Sequence, residues 1–152
     1  MEYKKDTRTK NLTLRDIHVG DWVQVWSEQA ERYSPPLKII QICDDGTIYL
    51  VTSDEERPTP WEENIKNVDA LPIDTDLLRG FGFIKDGFEF KYVYGDLTII
   101  VDDRLPHFFC FYSSLIKKTD YYSMAFFNDM QNRLYRLTGI NPKFEWKGLR
   151  ND

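Results

Sequence analysis

The chain is poor in the side chains that most often carry chemistry. Its 152 residues include two cysteines and two histidines. Cys43 and Cys110, each set in an apolar run, are too few for a disulfide framework. The first residues, Met1 to Arg8, contain no apolar leader core, so two reduced, buried thiols in a cytoplasmic protein are expected. A metal site needs three or four ligands held together, and His107 and Cys110, three apart in an expected strand, point to opposite faces. No apolar run approaches the roughly 18 residues of a membrane span, which argues for a soluble chain. A Gly-x-Ser-x-Gly elbow is missing, and Cys110 lies within Phe108-Phe109-Cys110-Phe111, where apolar surroundings keep a thiol protonated and inert. Gly80-Phe81-Gly82 lacks the third glycine of a dinucleotide loop and reads as helix-ending turn chemistry. The acid pairs Asp44-Asp45 and Asp102-Asp103 fall at turns, where aspartate is favoured on conformational grounds. These absences together exclude a recognisable catalytic residue, metal or cofactor site, and the expected role is binding rather than catalysis. Repeats and low-complexity tracts are also absent.

What the chain does have is rings and an uneven charge. Aromatic residues make up 15% of it, with four Trp, nine Tyr and ten Phe, which either build the core or line a contact surface. The net charge is −5, yet the first 15 residues hold Lys4, Lys5, Arg8, Lys10 and Arg15 against Glu2 and Asp6. Beyond them acids dominate, densest at Asp54-Glu55-Glu56 and Glu62-Glu63. An acidic body opposes non-specific binding to phosphate backbones. Residues 1–11, polar and without apolar period, are expected to form a flexible basic arm.

From residue 12 the pattern is that of short strands. Gly20-Asp21 turns into Trp22-Val23-Gln24-Val25-Trp26, apolar on both faces, as in a small closed barrel. Leu37 to Cys43 and Thr47 to Thr52 flank Asp44-Asp45-Gly46, a hairpin signature, and Trp61 to Val68 reads as a fourth strand. The entry Val19-Gly20-Asp21-Trp22-Val23 resembles that of SH3-like and KOW-type modules, which implies an SH3-like β-barrel over residues 12–70.

The texture changes at Leu71-Pro72-Ile73, and residues 71–152 read as a second, α+β region. Asp74 is placed to cap a short helix over Thr75 to Arg79. Phe83 to Lys85, Phe88 to Tyr94, Leu97 to Val101 and His107 to Tyr112 form an antiparallel meander, with Asp86-Gly87 as a second hairpin turn. Apolar residues at Met124, Phe127, Met130, Leu134 and Leu137 predict a long amphipathic helix over Asp120 to Thr138, stopped by Gly139 and Pro142. A return strand is expected at Lys143 to Trp146.

Two groups of rings are candidate contact surfaces. Phe108 to Tyr112 would be a patch if one face of the meander stayed bare, but the long helix is available to cover it. The better candidates are Trp26 at a strand exit, Tyr33 in the following loop and Trp61 after the acidic loop. These would converge on a barrel rim and bind a protein partner, the acids favouring a basic or proline-rich peptide. The competing reading, that these rings simply close a small barrel, is slightly favoured by the sequence. The alternative function is nucleic-acid binding, with Lys4, Lys5, Arg8 and Lys10 on phosphates and rim rings stacking on bases.

Met130-Gln131-Asn132 followed by Leu137-Thr138-Gly139 resembles the "LQN…LTG" ending of a family of small uncharacterised bacterial proteins, often associated with prophages and other mobile elements. Leu14 to Val23, Asp45-Gly46-Thr47-Ile48-Tyr49-Leu50, and Leu71-Pro72-Ile73 through Phe81-Gly82-Phe83 fit the same layout. Members often carry a His where this chain has Asn128, so no role of that His transfers. The resemblance implies a layout and no activity.

Overall fold

The computed structural model describes residues 8–52, 60–102, 108–113, 118–123 and 125–148. The chain forms two compact units, Met1–Leu71 and Pro72–Asp152. Both are built mainly of antiparallel sheet, which makes the chain α+β with one barrel-like sheet.

The first unit holds β1 (Trp22–Ser27), β2 (Arg32–Tyr33), β3 (Leu37–Ile42), β4 (Thr47–Val51), β5 (Trp61–Asn64) and β6 (Val68–Ala70), with a 3-10 turn at Ile65–Asn67. Strand order is β2-β1-β3-β4-β5, and β6 pairs with β1. The β3–β4 hairpin is fixed locally. Gly46 sits at φ +94°, a left-handed conformation costly to any residue with a Cβ, and the Asp45 carboxylate accepts from the Thr47 N–H at 2.9 Å. Along β1 the five residues Trp22 to Trp26 are all buried. Both edges of β1 are paired, with β3 at Trp22 and Val23 and with β6 at Val23 to Val25. On one face the Gln24 side-chain amide donates to the Ala70 carbonyl and Tyr33 packs on Trp26. Because β5 and β6 are joined through the 3-10 turn, the sheet bends into a strongly curled half-barrel. Val23, Leu37, Ile39, Ile48, Leu50 and Val68 share one face of this sheet and Trp22 lies on the other, each fully or almost fully buried. Every such aliphatic side chain stabilises the fold by about 1.5–3 kcal/mol. The expected strand at Trp61 to Val68 is thus two strands with a 3-10 turn between them.

The chain ahead of β1 covers the free edge of β6. Asn11 bridges Asp69, the Leu12 N–H donates to the Val68 carbonyl at 2.9 Å, and the Ala70 N–H donates to the Lys10 carbonyl at 2.8 Å.

The second unit contains α1 (Thr75–Gly80), β7 (Ile84–Asp86), β8 (Glu89–Tyr94), β9 (Leu97–Asp102), β10 (Phe108–Ser113), β11 (Lys118–Ser123) and α2 (Phe127–Thr138). Its sheet is a plain antiparallel meander, β11-β10-β9-β8-β7. Asp74 caps α1, its carboxylate accepting from the Leu77 N–H at 2.8 Å. Register aligns Phe90, Val101 and Phe109 in one row and Ile99 with Phe111 in the next, all buried. Phe127 of α2 stacks on Phe81 at 4.4 Å, and Phe144 packs against Phe83, Tyr92 and Phe127.

Two expectations need correction here. Helix α2 starts at Phe127 rather than Asp120, because residues 118–123 pair along the whole of β10 as strand β11. Lys143 to Trp146 forms no strand, although Phe144 is buried and the Lys147 N–H donates to the Gly80 carbonyl. Among the described residues, no helix is long and apolar enough to cross a membrane.

Candidate functional site

Strand β1 leaves the half-barrel at Ser27, and a short loop returns the chain as β2. Ala30 N–H donates to the Ser27 hydroxyl, and Glu31 takes φ +49° to complete the reversal. This return places Tyr33 directly across from Trp26, their rings edge to face at 4.9 Å. Strand β5 opens with Trp61, paired with Leu50.

These three rings, contributed by separate stretches of chain, line one groove of about 550 Å³. Glu28, Glu63 and Arg32 are also in its wall. Trp26 is 7% exposed and forms the floor, whereas Trp61 is 41% exposed. That volume lies within the range of small-ligand and side-chain pockets. The Glu28 side chain is 75% exposed and reaches the Arg8 guanidinium only at 4.0 Å. Glu63 accepts a long 3.5 Å bond from the Asn67 side-chain amide.

Tyr33 is held by a buried acid. Asp69, wholly buried in β6, accepts from the Tyr33 hydroxyl at 2.6 Å, from Arg8 Nε at 2.9 Å and Nη2 at 2.6 Å, and from Asn11 Nδ2 at 3.1 Å. The same tyrosine oxygen accepts from the Thr9 N–H at 2.6 Å. Burial pushes the Asp69 carboxyl upward, but the bonds from Arg8, Tyr33 and Asn11 outweigh it and hold the pKa below the usual carboxylate range. Burial, helped by donation to Asp69, raises the pKa of Tyr33. The Arg8 guanidinium, hydrogen-bonded to Asp69, is held firmly protonated.

The rings singled out in the sequence, Trp26, Tyr33 and Trp61, therefore meet in one place. The cations do not form a comparable set. Arg8 is engaged by Asp69 and by the Lys66 carbonyl at 2.8 Å, Lys10 lends its carbonyl to β6, and Lys4 and Lys5 lie outside the described residues. Most of the acidic loop and His107 also lie outside them. In β10, Phe109 and Phe111 are buried while Tyr112 is exposed. Burial raises the Cys110 thiol pKa, which keeps the sulfur protonated and unreactive. Among the described residues, no three metal-ligating side chains gather. Asp69, Asn11 and Thr9 belong to no motif in the sequence; the one signal there is an acid flanked by Val68 and Ala70. No family model, curated protein or solved structure matches the chain.

Proposed function

We propose that this protein is a cytoplasmic binding module whose SH3-like barrel holds an extended segment of a partner protein against Trp26, Tyr33 and Trp61. The observation that carries the reading is the convergence of three rings on one open groove. A large indole that is 41% exposed costs solvation unless it is kept for a contact, and contact surfaces are rich in Trp and Tyr. Tyr33 adds preorganisation, since the buried Asp69 fixes its hydroxyl before any ligand arrives. A nucleic-acid reading has less support, because Arg8 is committed to Asp69 and the groove wall carries Glu28 and Glu63. Membership of the mobile-element-associated family is part of the same proposal, resting on the Leu137-Thr138-Gly139 and hairpin motifs.

Comparing cross-linked partners of the wild type and Trp61→Ala in host extract tests the reading. Trp61 sits at the rim, so its loss should leave the circular dichroism unchanged while depleting the captured proteins. A variant that keeps every partner overturns the proposal.

A further inference from the structure

We infer that the groove selects a cationic side chain, lysine or arginine, presented by the bound segment; this rests on the groove being the binding site. Its wall carries two carboxylates, Glu28 and Glu63, against one guanidinium, Arg32. Glu28 is the informative one. The neighbouring Arg8 spends Nε and Nη2 on Asp69, and Nη2 again on the Lys66 carbonyl. Only Nη1 approaches Glu28, at 4.0 Å, which is beyond hydrogen-bonding distance. Glu28 thus stands at the rim with most of its coordination unused.

The rings complete the match. Lysine and arginine have an apolar stem and a charged head, so the stem can lie on the exposed Trp61 face while the head reaches a carboxylate. An indole face carries negative potential and adds to the pull of Glu28 and Glu63 on a cation. An anionic or phosphorylated segment would meet the same groups as repulsion, and a purely apolar one would leave Glu28 unanswered.

Selection of a random peptide library on the full-length protein tests the inference, followed by titration of the chosen peptides. Enriched peptides should share a Lys or Arg whose replacement by norleucine or citrulline weakens binding about tenfold, the sum expected of one exposed ion pair and one cation–π contact. Glu28→Gln with Glu63→Gln should produce a similar loss and flatten the salt dependence of affinity. Enriched peptides that lack a cation, need Trp61 and bind the double glutamine variant equally would overturn the cation inference and leave the groove standing. Peptides that bind Trp61→Ala as well as wild type would overturn the groove itself, and so would a library that yields nothing above an unrelated control protein.

Discussion

Placing a carboxylate where water does not reach it is costly unless donors surround it, and Asp69 has four of them from three side chains. Its stabilising contribution therefore depends on its staying ionised. Because the folded-state pKa is depressed, the contribution is complete above the ordinary carboxylate pKa of about 3.9 and drains away as pH falls below that value. Wild type should exceed Asp69→Asn in stability at pH 5–7, and the gap should close as pH drops from about 4 toward 2. Urea midpoints of the two proteins across that range check this; a gap independent of pH would mean the charge contributes nothing. As for legibility, an acid between Val68 and Ala70 announces that it needs a partner. It does not announce Arg8, 61 residues away, because pairing over such a distance is set by how the sheet closes.

Among the elements, those with a local cause were the readable ones. Asp45-Gly46 turns β3 into β4, Gly87 at φ +64° follows Asp86, the last residue of β7, in the turn to β8, and Asp74 caps α1, each through chemistry contained within four residues. Strand β11 was not readable, since what holds it is β10, and the helical spacing that seemed to reach back to Asp120 ends at Phe127. The last described segment is held by shape. A Cβ on Gly80 would overlap the Trp146 ring, while the Lys147 N–H bonds to the Gly80 carbonyl beside it. Gly80→Ala should destabilise the second unit by about 1–3 kcal/mol through overpacking. Adding Trp146→Ala removes the obstacle, so the double variant should be more stable than the sum of the single losses predicts. Thermal unfolding of the four proteins gives the comparison, and strict additivity would show that the two side chains do not meet.

At the scale of the molecule, the two units divide the work unequally. The first curls its sheet, buries Trp22 to Trp26 on both faces of β1 and leaves its aromatic groove at the strand exit. The second keeps a flatter meander, with Phe90, Ile99, Val101, Phe109 and Phe111 turned inward and Ile84, Val93 and Tyr112 left exposed. The site was legible as three candidate rings and illegible as a groove. Residue types could be named from their neighbours, but the cross-strand register that sets Tyr33 beside Trp26 exists only once β2 has folded back.

The bond between Arg8 and Asp69 also has a consequence in time. It joins positions 61 residues apart in a unit that spans Met1–Leu71, so it closes a loop almost as long as the unit itself. Closing such a loop costs chain entropy that only a nearly finished sheet repays, which places the contact late on the folding path. Arg8→Ala should then leave the refolding rate nearly unchanged and raise the unfolding rate by about 10- to 100-fold. Stopped-flow measurements of both rates decide the matter: a slowed refolding limb would put this contact in the nucleus, whereas a faster unfolding limb makes the first described residues the latch that sets the unit's lifetime.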